Sequence, residues 1–274
     1  YSSYTLAGHT FLGGGLELNP GKIRFAVNYG RFASAVPMDQ SITEPFVPSF
    51  DRFGYGGKIG YGDDNNYIDL IFFKARDHQD SWAVIPDTTA VFPGENMVLG
   101  TAWKFSLVKN LSISGEFATS AYTVDARDEL IPNDDFFGLL GFENKASTQV
   151  RNAYKISTSY KLSKHTFSGT YERIEPDYQT MGAYFFNNDI ENITAAYSTT
   201  LFESKLILSL NGGLQRNNLF DTEISETKRT IGSGNLIFVK APFSVGVNYS
   251  NYSSEFRYVL NSSLDSLNAV AVTQ

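Results

Sequence analysis

Cysteine is absent from this chain of 274 residues, so neither a disulfide nor thiolate chemistry is open to it. That absence does not by itself identify a compartment. Histidine is scarce. His9, His78 and His165 are the whole supply, and none stands in the Glu-x-x-His or His-x-His context that metal binding or general-base work uses. There is no Gly-x-Ser-x-Gly elbow and no phosphate-binding loop. Ser163 lies close to His165, but both fall at a short turn, and adjacent Asp77 and His78 read as a loop pair rather than part of a triad. No enzyme, metal site or cofactor is expected. Nor is there a long apolar run of the kind a transmembrane helix needs. Positive charge is not in excess either: the formal net charge of −7 argues against a nucleic-acid partner, which favours a basic stripe. An initiator Met and a secretion signal are also missing. The chain opens on Tyr1 and ends on Asn268–Gln274, which reads as a strand interrupted partway, so the expectation is a piece of a longer protein cut at both ends.

What the chain has instead is aromatics and alternation. Phe and Tyr raise the aromatic share to 15%, charged residues are held to 19%, and mean hydropathy is only −0.20. After the first turn Ile23, Phe25, Val27 and Tyr29 fall on one face, with Lys22, Arg24, Ala26 and Asn28 on the other. The same period of two sets Leu99, Trp103, Phe105 and Leu107 against Gly100, Ala102, Lys104 and Ser106. It also sets Tyr154, Ile156, Tyr160 and Leu162 against Lys155, Ser157, Ser159 and Lys161. Leu206, Leu208, Leu210 and Leu214, and later Phe243, Val245, Val247 and Tyr249, repeat it. Three stretches fit less cleanly. Residues 5–18 and 229–239 are interrupted, and Ile68 to Phe73 is nearly continuous apolar, as a strand buried on both faces would be.

Six short polar turns punctuate these segments: Asn19-Pro20-Gly21, Asp63-Asp64-Asn65, Lys109-Asn110, Ser163-Lys164, Glu203-Ser204 and Ala241-Pro242. Each joins two strands of about ten residues, the length that crosses a bilayer when tilted. A long loop then follows each pair. This asymmetry predicts an all-β fold, an antiparallel up-and-down transmembrane β-barrel with about twelve strands, forming one outer-membrane domain over residues 1–274 and belonging to a larger barrel. Low mean hydropathy is in keeping, because only alternate residues meet lipid. A β-propeller repeat holds four short strands and carries Gly-His and Trp-Asp signatures, which are missing here. A soluble sandwich would carry denser charge on its polar face. Aromatics near strand ends, such as Tyr29 with Phe32, Phe53 with Tyr61, and Tyr249 with Tyr252, suit girdles at two membrane interfaces.

On the non-lipid face the candidates for lumen-facing charge are Arg24, Lys58, Lys104, Glu116, Lys155, Lys161 and Glu172. Basic groups on a pore wall attract anions, but salt bridges between neighbouring strands are the expectation for these. The longest loop, about Thr123 to Thr148, groups Asp125, Asp128, Glu129, Asp134, Asp135 and Glu143 with Phe136, Phe137, Leu139, Leu140 and Phe142. Its carboxylates are ligands of the type Ca²⁺ takes, without EF-hand spacing, and read as a solvated acidic face. Its apolar cluster is expected to fold against the barrel mouth or meet a partner. A second loop, Glu175 to Asp189, carries Tyr184, Phe185 and Phe186 among amides, which suits loop packing first and glycan contact second. Phe136, Phe137, Tyr184, Phe185 and Phe186 are therefore the candidate extracellular contact residues.

Tyr171-Glu172-Arg173-Ile174-Glu175-Pro176-Asp177-Tyr178, then Gly182-Ala183-Tyr184-Phe185-Phe186-Asn187-Asn188-Asp189, and the hairpin ending Gly213-Leu214-Gln215-Arg216-Asn217-Asn218 give the chain a particular cadence. In that cadence it resembles the large outer-membrane barrels of Bacteroidota-type bacteria. The resemblance implies a surface-exposed barrel in an uptake or export assembly. TonB-dependent receptors are similar in cadence, but neither a plug domain nor a TonB box is found, so their mechanism does not carry over. The expected function is a porin-like passage, or support of passage, for a solute or polypeptide. The competing expectation is a structural or adhesive barrel whose loops bind a partner or glycan. Membrane lipid, further barrel strands and partner outer-membrane proteins are the expected neighbours.

Overall fold

Local turn chemistry sets the strand ends. Gly21 takes a φ of 65°, open to glycine at no steric cost. The Asp63 carboxylate accepts from the backbone N–H of Asn65 and of Asn66, both at 2.9 Å, closing an Asx turn. Those two donors also hold its carboxyl below the ordinary range. Phe202, Glu203 and Ser204 all turn through the left-handed region before Lys205 bonds back to Phe202 O.

In the computed structural model, which describes residues 1–37, 48–82, 91–132, 136–184 and 187–258, each turn joins neighbouring strands. The strands are β1 (Leu12–Leu18), β2 (Ile23–Ala33), β3 (Asp51–Gly62), β4 (Tyr67–His78), β5 (Glu95–Val108) and β6 (Leu111–Thr123). They continue as β7 (Thr148–Leu162), β8 (His165–Ile174), β9 (Ile190–Leu201), β10 (Leu206–Arg216), β11 (Ser225–Lys240) and β12 (Phe243–Tyr258). A four-residue helix, α1 (Phe136–Leu139), lies in the loop between β6 and β7. All twelve form one up-and-down sheet in sequence order, with antiparallel register. No pairing of β1 with β12 is found among the described residues. The strand expected at Asn268–Gln274 lies outside the described residues.

The chain divides into two compact units. One comprises Tyr1–Trp103, Glu116–Asn152 and Asp177–Phe186; the other comprises Lys104–Gly115, Ala153–Pro176 and Asn187–Gln274. In the first unit the alternation is inverted relative to a water-soluble sheet. On β2 the polar-side residues Ala26 and Asn28 are buried, whereas Ile23 and Tyr29 are more than half exposed. β4 corrects the expectation for Ile68 to Phe73: Ile68 and Leu70 are exposed, while Asp69, Ile71 and Phe73 are buried, so this strand is covered on one face only. Residues 5–18 are corrected too. Strand begins only at Leu12, and Leu6 instead pairs with Gly182 in a separate parallel bridge.

Register explains how charge fits on the buried face. Across β2, β3 and β4, Arg24 lies opposite Gly60 and Gly60 opposite Asp69. Two strands apart, Arg24 and Asp69 meet over the glycine, where a Cβ would overlap the Asp69 carboxylate. Glu17 and Lys58 likewise meet at 3.5 Å across Ala26. Between Arg31 and Ala33 the register slips by one residue, and the bulged Phe32 turns its ring onto Phe11 and Phe73.

Gly60→Val is therefore expected to destabilise the protein by about 1–3 kcal/mol, as overpacking does. Gly57→Val, where a Cβ meets open space, is expected to leave stability near that of the parent. A urea folding titration of the two variants compares them, and equal midpoints would refute the bridge over Gly60.

Candidate functional site

The polar face of the first unit is occupied by the chain itself. Residues 1–10 run along it beside residues 177–184. Ser2, Tyr4, Thr5, Tyr178, Thr180 and Met181 are all buried there. A parallel bridge pairs Leu6 with Gly182, and Ala7 N donates to Gly182 O at 3.1 Å. The Tyr178 hydroxyl donates to Tyr4 O at 2.6 Å, and the Thr180 hydroxyl donates to Thr5 O at 2.7 Å. Burial pushes the Tyr178 phenol well up, so it stays a donor at any physiological pH. Gly182 is required by this close approach, since a methyl group on it would overlap the Thr5 carbonyl oxygen.

Wall side chains hold the two segments in place. Asn96 accepts from Met181 N at 3.0 Å and donates to Ser120 Oγ at 2.8 Å; Ser120 in turn donates to Gln179 O. Glu116 accepts from Ser3 N at 3.0 Å and Ser3 Oγ at 2.6 Å. The remaining charges on this face are matched. Arg24 grips Asp69 through both carboxylate oxygens, at 2.8 and 3.2 Å. Arg52 grips Asp77 at 2.8 and 3.0 Å, with Gly94 N also donating to Asp77. Such forked pairs are the strong form of the arginine–carboxylate bond.

In the second unit the corresponding face carries a cross-strand ladder. Lys155, Glu172, Asn192, Gln215 and Arg229 stand opposite one another in register on β7 to β11. Asn192 donates to Glu172 at 3.0 Å, Gln215 to Asn192 at 2.8 Å, and Arg229 to Gln215 at 2.8 Å. Towards the short turns the same face becomes small: Ser168, Thr170, Thr194, Ala196 and Gly213 line a shallow depression. On the opposite face of these strands Glu191 accepts from Arg173, Arg216 and Tyr171, which ends the apolar row containing Leu214.

The expected site residues divide as follows. Arg24 and Lys58 share the polar face of β2 and β3 and are ion-paired, and Glu116 is taken up by Ser3. Lys155 and Glu172 sit side by side in the ladder, and Lys104 and Lys161 fall at polar-row positions of β5 and β7. Among the expected loop contacts, Phe136 is 62% exposed and Tyr184 is 54% exposed, with Tyr184 stacked on His9. Phe137 is only 5% exposed and turns onto the strand wall, so its ring is not presented outward. Phe185 and Phe186 lie outside the described residues, as do Asp134 and Asp135. Asp69, Arg52, Asn192 and Gln215 were not singled out from sequence, and Asp77, expected in a loop beside His78, stands instead in β4, buried and paired with Arg52; Asp69 was detectable as one carboxylate inside an apolar run.

Among the described residues no grouping of three or more His, Asp and Glu side chains is placed to hold a metal ion. The arrangement is a wall of polar pairs, with Asn28 Oδ1 buried and without a hydrogen-bond partner among the described residues. No protein-family model, curated protein or solved structure matches the chain.

His9 gives the occupying segment a pH dependence. Its ring stacks on Tyr184 at 3.9 Å, its Nδ1–H donates to Thr10 O, and burial lowers its pKa from the ordinary 6.5. The detached segment therefore binds more protons than the packed one, so attachment is full above about pH 6.5 and weakens as pH falls through the lowered value. Limited proteolysis within residues 1–10 is expected to accelerate at acid pH in the parent and much less in His9→Phe. Identical acid sensitivity in both would remove His9 from the account.

Proposed function

We propose that this chain forms wall strands of a bacterial outer-membrane β-barrel, of the large Bacteroidota kind, that forms or supports passage of a solute or polypeptide. One observation carries the reading: the apolar rows of the sheet are bare, while the polar row of the first unit is covered and that of the second is cross-linked by the ladder on β8 to β11, with both faces exposed on β12. Ile23, Val27 and Tyr29, Leu210 and Leu214, and Val245, Val247 and Tyr249 are all exposed on the apolar face. Water does not tolerate so extended an apolar surface, whereas hydrocarbon requires one. On β10 the row runs from Leu206 to Leu214 and then meets Arg216. That is nine residues, within the range for a tilted strand crossing a bilayer. In lipid every strand edge must be paired, so the outer edges of β1 and β12 call for further barrel strands or a partner outer-membrane protein. On this reading the long loops face outside and the short turns face the periplasm. The protein acts without cofactor, catalysis or nucleic acid.

A second reading is favoured by the filled polar face of the first unit. A barrel whose interior is occupied by its own segments serves as a structural or adhesive surface protein, with loops that engage a partner or glycan. Planar-bilayer conductance of the full-length protein separates the two: discrete conductance steps support passage, and a folded, inserted, silent protein supports the filled barrel.

The lipid-facing assignment has its own test. Leu208→Arg, at the middle of the apolar row, is expected to cost about 2–4 kcal/mol in a folding titration into lipid bilayers, and Ser209→Arg much less. Equal tolerance of the two would overturn the face assignment and the membrane reading with it.

A further inference from the structure

Four residues make too short a helix to persist alone, so α1 must be held by packing. The loop that carries it is stapled at its stem: Leu130 bridges Lys145, Ile131 N donates to Asn144 O at 2.9 Å, and Ala146 N donates to Glu129 O at 3.1 Å. Gly141, at a φ of 77°, ends the helical turn, and Phe142 N returns to Phe137 O at 3.0 Å. The loop lies against the outward, apolar side of the strands. Phe137 and Phe142 cover Met97 and Ala121, reducing both to 0% exposure, with Phe72 and Leu99 packed alongside.

The height of this contact is set by β4. Its outward residues run Ile68, Leu70 and Phe72, then Lys74, Arg76 and His78. The helix sits at the change from apolar to charged: Phe72 touches its underside, and Lys74 Nζ donates to Gly141 O at 3.1 Å. Its other side presents Phe136, Leu139 and Leu140, at 62%, 82% and 43% exposure. Arg76, with a side chain 58% exposed and 3.9 Å from Glu95, stands in the charged row above, and Lys74 pairs with the same carboxylate at 3.2 Å.

We infer that α1 is a membrane-surface anchor, whose free face of Phe136, Leu139 and Leu140 enters the boundary between lipid headgroups and acyl chains. The inference rests on the lipid-facing reading of the apolar rows. Position argues for lipid over protein: the patch continues the apolar wall and stops where that wall becomes charged, with two cations about one carboxylate, as interfacial apolar helices do. Arg76 lies where lipid phosphates would. Pinning by Phe137, Phe142 and Lys74 pre-orders the patch.

The test uses the absence of cysteine. In the full chain, single substitutions Leu139→Cys, Leu208→Cys and Asp221→Cys each carry one bimane label, in phosphatidylcholine vesicles doped with phosphatidylcholine spin-labelled near the headgroup or near the acyl-chain end. The expected result is loss of Leu139→Cys fluorescence chiefly with the headgroup-proximal quencher, loss of Leu208→Cys fluorescence with the deep one, and little change at Asp221→Cys. Quenching at Leu208→Cys with none at Leu139→Cys overturns the anchor and leaves the lipid-facing wall standing. Quenching at neither overturns both. A Leu139→Cys label shielded from lipid but exposed on diluting protein among vesicles assigns the patch to a second copy, which also overturns the anchor. Phe136→Cys repeats the measurement from a second position on the same face.

Discussion

Backbone pairing between consecutive strands is the constraint on which the rest depends. Each strand from β2 to β11 is hydrogen-bonded on both sides, and between β2 and β3 the register slips once, at Phe32. With a side-chain period of two, that register sorts residues into continuous rows. One row holds leucines, valines and aromatics, while the next holds glycine, serine, amides and charge. A one-residue shift on β3 would move Gly60 out from between Arg24 and Asp69 and place Tyr61 or Ile59 there, and the charged pair would be lost.

The two units satisfy their polar rows by different means. In the first, charges fork onto one another across small residues, and the chain's own segments, residues 1–10 and 177–184, supply partners for Asn96, Ser120 and Glu116. In the second, neighbouring strands supply the partners, through the ladder of Glu172, Asn192, Gln215 and Arg229. A buried carboxylate such as Asp69, 3% exposed, demands a partner of this kind, because an unpaired one is costly. The proposed passage and the filled barrel share these walls and differ in what occupies the space before them.

The long loop between β6 and β7 shows the same economy of contacts. Its apolar residues divide between two surfaces, Phe137 and Phe142 against the strands and Phe136 and Leu139 away from them. One of its acidic residues, Asp125, is engaged locally: Arg127 binds it at 2.9 and 2.6 Å and holds that carboxyl below its ordinary range.

By itself, the sequence determined the elements that rest on local rules. The six turns stand at their expected positions, four of them on Gly, Asn, Asp or Pro residues, the strand faces follow the period of two, and Arg24 and Lys58 fall on the polar row. What it did not determine is every contact between residues far apart in the chain. Asp69 lies 45 positions from Arg24, and Tyr178 lies 174 positions from Tyr4. An apolar run at Ile68–Phe73 hid a strand with one bare face, because periodicity cannot tell an apolar side chain facing outward, such as Leu70, from one covered as Phe73 is by Phe32. Residues 5–11 looked like an imperfect strand for a related reason. Backbone groups there are satisfied by Gly182 at Ala7 and by the Thr180 hydroxyl at Thr5, as Tyr4 O just before them is by Tyr178, and only the folded chain brings those partners within hydrogen-bonding distance.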